Sequence, residues 1–210
     1  MSNEIKTNIQ YKAARIISVV FHPVFMVLYG LTILLSAPTF LGYLPLELKK
    51  ILFLVVIVNN VLVPLVLLPF FRYRNLISSY DIEDKSERTI PLLTASILYC
   101  TTSFIVFRFQ IPFLLKSFIF ATSVLSIIVS VINFWWKISI HSVGAGALTA
   151  TVLVLSLKMQ TPLTWYLIAS ILTSGLILSA RLRLNSHSLS QVWIGFFTGL
   201  LGIGLFILLV

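Results

Sequence analysis

Charge is scarce in this chain. Only 10% of its 210 residues are Asp, Glu, Lys or Arg, against about 25% in soluble domains. Acidic residues are the rarest: there are six, and none follows Glu87. That leaves no second carboxylate loop with which to hold Mg²⁺. A single cysteine, Cys100, excludes disulfides within the chain and cysteine-cluster metal sites. It falls inside an apolar run and is expected to be a small buried residue. Long linkers, low-complexity stretches and internal repeats are all missing, so residues 1–210 read as a single domain.

What the chain has is hydrophobic length. Hydrophobic residues make up 59% and mean hydropathy is +1.05, more apolar surface than a soluble fold of this size can hide. Charge-poor runs at 16–46, 51–71, 89–107, 117–136, 138–157, 159–180 and 184–210 suit spans of roughly 20 residues. The expectation is an all-α polytopic membrane bundle of about six to seven transmembrane helices, embedded in membrane lipid. The apolar runs are continuous rather than alternating, which argues against a β-barrel. The first run lacks a small-residue cleavage site and reads as a span rather than a signal peptide. Residues 1–14 form a polar N-terminal tail. The net charge of +9 sits at span edges, where anionic headgroups or anionic substrates, rather than nucleic acid, are the expected partners.

With seven spans, the N-terminus and the segments 72–88, 137–140 and 181–187 lie on one side. That side carries Lys6, Lys12, Arg15, Arg72, Arg74, Lys85, Arg88, Lys137, Arg181 and Arg183; the other carries Lys49, Lys50, Arg108, Lys116 and Lys158. The bias favours a cytoplasmic shared side, although without Lys85, Arg88, Lys137 and Arg181 it is six against five.

The chemistry-bearing residues gather in those three loops. In ARLRLNSHSLSQVWIG, residues 180–195, Gln191 stands four after His187, so its amide shares a helix face with the imidazole. The plainer reading is two snorkelling arginines and a histidine bonded to backbone. In WWKISIHSVGAGA, residues 135–147, Lys137, Ser139 and His141 precede a small-residue helix whose free N–H groups attract anions. The same segment reads as a Trp-Trp-Lys interfacial anchor, with Gly144, Ala145, Gly146 and Ala147 serving close helix packing. In DIEDKSERTIP, residues 81–91, Lys85 and Arg88 suit phosphate. Asp81, Glu83, Asp84 and Glu87 read as a solvated charge run.

Taken in order, these loops resemble the signature of the type 2 phosphatidic acid phosphatase (PAP2) superfamily: a Lys…Arg-Pro segment, a Ser-Gly-His segment and an Arg-x5-His-x3-Asp segment. The third matches Arg181, His187 and Gln191 with its spacing intact, the second Ser139-Ile140-His141, and the first Arg88 with Pro91 nearby. The resemblance spans roughly 81–195. It is closest to short members in the bacterial cytoplasmic membrane, whose second motif reads Lys-x-Ser-x-His. It implies a PAP2-like core and metal-independent, cofactor-free hydrolysis of a lipid phosphate or diphosphate. His187 would be the nucleophile and His141 the proton donor to the leaving oxygen. Gln191 would orient His187. Arg88, Ser139, Arg181, Lys137 and Lys85 would be phosphate ligands. Fixed cations around a phosphoryl group and histidines at neutral pH are chemically apt for this.

The chain departs from the family pattern at three places. Gln191 stands where the family has Asp, which orients the imidazole and stabilises its charged form. Asp81 occupies the position seven before Arg88, and Pro91 is three residues beyond that arginine. Ile140 replaces glycine. A catalytically degenerate relative, binding lipid phosphate or acting as a scaffold, is the alternative these departures suggest. A UbiA-type prenyltransferase is opposed by the absence of a second Asp-rich loop, and a haem protein would use His22, His141 and His187. Within spans, Asn59, Asn60 and Asn133 read as interhelical hydrogen-bonding groups or functional ones. His22-Pro23 reads as a helix distortion.

Overall fold

The computed structural model describes residues 2–79, 82 and 84–209, with side chains described from residue 8 onward. The described chain is helical throughout: α1 (Ser2–Val20), α2 (Pro23–Ser36), α3 (Leu46–Ile57), α4 (Val63–Tyr73), α5 (Thr89–Phe107), α6 (Phe113–Trp135), α7 (Ile140–Met159), α8 (Thr164–Arg183) and α9 (Leu189–Leu209). A π-helical turn, Val58–Leu62, joins α3 to α4, making one 28-residue segment, Leu46–Tyr73. That segment and α5 to α9 are each long and apolar enough to cross a bilayer. The protein is therefore an all-α polytopic membrane bundle. Aromatic side chains stand exposed at both ends, Tyr73 and Trp135 at one and Tyr43 and Trp165 at the other, as an interfacial belt requires.

The first apolar run is not one straight span. The chain is already helical before residue 16, and it breaks at Phe21–His22, where the two halves bend by 62°. Proline explains the break. Pro23 has no N–H to give to the preceding turn and suits the first turn of a new helix. His22 serves as the N-cap of α2, its Nδ1 accepting from the Val24 N–H at 3.4 Å. The broken pair makes a seventh crossing if it is one span. Lys49 at the start of α3 donates to the carbonyls of Leu35 and Gly42, tying the far end of α2 to the next crossing.

α7 is the central helix, with 67% of its core window buried against 22–50% for the other spans. Small residues let it sit there. A Cβ on Gly146 would fall 1.9 Å from the Phe196 carbonyl oxygen of α9, and one on Gly199 the same distance from that of Val143. Gly195 likewise faces the Ser139 oxygen at 2.7 Å. α7 and α9 thus cross backbone to backbone through a small-xxx-small pair. Gly144 admits Met26 of α2 on the opposite side. Hydroxyl and amide pairs add registry: Asn60 accepts from Thr102 at 2.7 Å, and Ser96 meets Ser130 at 2.9 Å. Such bonds average about 0.6 kcal/mol in membranes, so they fix alignment more than they stabilise.

Cys100 lies exposed on the outer face of α5 rather than buried. The apolar run marks membrane depth but not which side of a span meets lipid.

Candidate functional site

Four segments meet at one end of the bundle. Lys85 Nζ donates to the carbonyls of Phe134 (3.0 Å) and Trp135 (3.4 Å), and Asn133 Nδ2 donates to the Lys85 carbonyl at 3.2 Å. The Ser139 N–H donates to the Gln191 carbonyl at 3.3 Å. The His141 Nε2–H donates to the Ser18 carbonyl at 3.1 Å. Lys85 is therefore joined to the end of α6, the start of α7 to the start of α9, and α7 to the end of α1. The α7–α9 crossing does the fine placement, since it sets the start of α7 beside the start of α9.

Between these segments opens a cavity of about 610 Å³. Arg15, Arg88, Lys137 and Arg181 line its polar end together with His22, His141 and His187. No carboxylate lines it among the described residues. Below, the walls turn apolar, with Met26, Leu98, Phe118, Leu125 and Leu148. Thr151, eleven residues into α7, marks the depth, about 16 Å along the helix axis. The space is charged at one end and mostly apolar beneath, with Asn60, Thr122, Ser126 and Thr151 as uncharged polar groups in its wall.

His187 is the most precisely held of the lining groups. α8 ends at Arg183, and Asn185 takes the left-handed conformation, φ 52°, which asparagine tolerates. That turn delivers His187, only 8% exposed, to the threshold of α9. Ser188 and Gln191 then form a capping box. The Gln191 N–H donates to Ser188 Oγ at 3.4 Å, and the Ser188 N–H donates to Gln191 Oε1 at 3.2 Å. The same Oε1 accepts from His187 Nδ1–H at 3.0 Å. An amide oxygen that receives two donors fixes the tautomer: the His187 proton is on Nδ1, and Nε2 keeps its lone pair. Burial, with Arg88, Arg181 and Lys137 nearby, pushes the His187 pKa down to about 3, and the Gln191 bond opposes this only in part. The ring is neutral at physiological pH.

Of the residues singled out by sequence, His187, His141, Arg181, Arg88 and Lys137 line the common cavity, and Gln191 supports His187 from behind. Arg88 is buried, its Nε donating to the Ile82 carbonyl at 2.8 Å. Arg181 Nη1 donates to Ser18 Oγ at 3.3 Å. Ser139 and Lys85 sit outside the lining. Ser139 is fully buried, its Oγ accepting from Ser142 Oγ–H at 2.8 Å. Lys85 caps the carbonyl end of α6, where a cation complements the helix dipole. Ile140 lines the cavity. Glu87 is engaged by the Ser78 N–H and hydroxyl, and Asp84 by the Ser86 N–H. Asp81 and Glu83 lie outside the described residues. Among the described residues no group of three His, Cys, Asp or Glu could hold a metal ion.

Sequence reasoning missed Ser18, Arg15 and the capping role of Ser188. The last was readable: Ser-x-x-Gln ahead of an apolar run marks a helix start. Ser18 carried no signal, because its carbonyl and its hydroxyl meet His141 and Arg181 across 123 and 163 residues.

The chain matches no family model, no curated protein and no solved structure. Fold and site together define a polytopic helical membrane protein with a histidine- and arginine-lined cavity at one end of its bundle.

Proposed function

We propose that this protein is a membrane phosphatase acting on a lipid phosphate or diphosphate by a metal-independent phospho-histidine route. One observation carries the reading: an imidazole with an unprotonated Nε2 shares with four cations, Arg15, Arg88, Lys137 and Arg181, and two further imidazoles, His22 and His141, a cavity that continues into the bundle interior. The resemblance of residues 81–195 to the type 2 phosphatidic acid phosphatases, and with it a bacterial cytoplasmic membrane setting, supports it independently of the geometry.

The chemistry follows from the placement. A lipid phosphate enters headgroup first, with its tail along the apolar wall. Arg88, Arg181 and Lys137 take the non-bridging oxygens and stabilise the charge spread over them in the transition state. His187 Nε2 attacks phosphorus, and the P–O bond to the lipid breaks with its electron pair on oxygen. A proton from His141 converts that oxygen to the lipid alcohol. Water then attacks phosphorus, giving a proton to His141, while the N–P bond breaks with its electron pair on His187 Nε2, so lipid phosphate and water yield lipid alcohol and phosphate. Gln191 keeps His187 in the attacking tautomer but adds no negative charge to the phospho-imidazolium.

A second reading draws on that last point. Gln191 has a structural task in the capping box, and its neutrality suits a site that binds lipid phosphate without turning it over. The test is phosphate release from a panel of lipid phosphates by detergent-solubilised protein in EDTA. Release lost in His187→Ala supports the phosphatase. Saturable lipid-phosphate binding without release by any variant supports the binding protein.

A further inference from the structure

The α1–α2 hinge lies well before the first of the three chemistry-bearing loops in sequence, yet it forms one wall of the cavity. Two of its residues address His141. The Ser18 carbonyl accepts from His141 Nε2–H at 3.1 Å. The His22 ring packs edge-on against the His141 ring, centroids 5.5 Å apart and planes at 86°. Ser18 also accepts from Arg181 Nη1 through its hydroxyl, so one buried residue touches both His141 and Arg181. His22 itself is held by the cap on α2: its Nδ1 accepts from Val24 N–H, which puts its proton on Nε2.

We infer that this hinge is a working part of the site: Ser18 and His22 are positioning residues for the proton donor, fixing the His141 ring so that Nδ1 is the nitrogen that meets the leaving oxygen. The inference rests on the phosphatase reading above. A carbonyl oxygen accepts only from a protonated nitrogen, so Ser18 fixes the proton on Nε2. When His141 acts as an acid, its second proton is then on Nδ1. Nδ1–H gives that proton to the leaving oxygen as the P–O bond breaks, and His141 returns to the Nε2–H tautomer already bonded to Ser18. The perpendicular His22 ring closes one face of the imidazole and restricts its rotation about χ2. The two histidines are thus held alike, each by one uncharged oxygen: His187 by the Gln191 amide and His141 by the Ser18 carbonyl.

His22→Asn tests this, because asparagine is a good N-cap and keeps the α2 start while removing the ring. Full-length protein in detergent is assayed with dodecyl phosphate, whose alkoxide needs a proton, and with 4-dodecyl-2-nitrophenyl phosphate, whose phenolate leaves without one. The expected result is a fall of at least about tenfold in the first-turnover rate of alcohol release from the alkyl ester, with its KM and the first-turnover burst of nitrophenolate from the aryl ester within about twofold of wild type. Equal losses on both esters, or no loss on either, overturn the inference and leave His22 as a helix cap alone. A wild type that releases no phosphate from either ester overturns the phosphatase reading and this inference with it. Should His22→Asn fail to fold, ¹⁵N NMR of histidine-labelled wild type serves in its place. Protons on Nε2 of both His22 and His141 are expected, and a proton on Nδ1 of either neutral ring overturns the proposal.

Discussion

Replacing Gln191 by glutamate tests the electrostatics of the site with little structural change. Glutamate has the same length and is equally at home at the third position of a capping box, so the bond from the Ser188 N–H is kept. At the start of α9 its charge complements the helix dipole by about 0.3–1 kcal/mol. What changes is the atom 3.0 Å from His187 Nδ1, from a neutral amide oxygen to a carboxylate oxygen. Burial and the neighbouring cations push His187 down to about 3, which leaves roughly one ring in 10⁴ charged at pH 7. An adjacent opposite charge raises such a group by about 1–3 pH units, which moves His187 to roughly 4–6 and corresponds to about 1.4–4 kcal/mol in favour of the cationic ring. The phospho-imidazolium formed on attack gains the same stabilisation, so the phosphorylation step should accelerate by about 10- to 1,000-fold. Two assays check this: ¹³C/¹⁵N NMR titration of labelled histidine in micelles, and rapid-quench phosphate release. A wild-type His187 midpoint near 6.5, or a Gln191→Glu midpoint equal to that of wild type, would refute the reasoning.

Further outcomes are expected. Gly199→Ala puts a Cβ 1.9 Å from the Val143 carbonyl oxygen. α7 and α9 must then separate by about 1 Å or more, with a cost of about 1–3 kcal/mol and loss of the site. Gly175→Ala meets nothing within 4 Å and should be neutral or stabilising by up to about 1 kcal/mol, with thermal stability in detergent as the readout for both. Acidification should destabilise the protein through His187. Its folded pKa lies below the unfolded value of 6.5, so the unfolded chain binds more protons between about 3 and 6.5. Stability is full above pH 6.5 and falls below it by on the order of 2–3 kcal/mol after allowing for solvent screening, a loss that His187→Gln should remove. Arg181→Ala should raise KM for lipid phosphates by at least about tenfold, as loss of a charge-assisted contact does. Lys85→Ala should leave KM unchanged and lower stability by about 1 kcal/mol, because Lys85 caps α6 rather than lining the cavity.

The spans were legible because a bilayer selects on composition alone, and apolar runs longer than 18 residues have few alternatives. Their limits were less so. Charge-poor sequence runs unbroken through Phe21–His22, yet the helix turns by 62° there; His22-Pro23 marked a distortion but not its angle. The His187–Gln191 contact was expected, but not by its actual route: His187 stands before the Ser188 cap of α9, and the Gln191 amide reaches back over the helix start to meet it rather than along one helix face. The place of Ser139 was not readable, because its spacing from His141 fits phosphate ligation and burial equally well, and only the α7–α9 crossing decides that it faces Ser142 and Gln191. Lys85 was ambiguous for a similar reason: whether a lysine faces a cavity or a helix end depends on where α6 stops. The share of Ser18 and His22 in the site is a tertiary fact, set by packing α1 and α2 beside the start of α7.

The central claim is that His187 carries a covalent phosphoryl group during turnover. The most direct measurement is a rapid quench of protein mixed with a ³²P-labelled lipid phosphate in EDTA, followed by peptide mapping. The account predicts label on the peptide containing His187, stable to base and labile to acid as a phosphoramidate is. The label should be absent from His187→Ala and should persist longer when proton transfer to and from His141 is blocked in His141→Ala with an aryl phosphate donor. Phosphate release that proceeds normally in His187→Ala would contradict it.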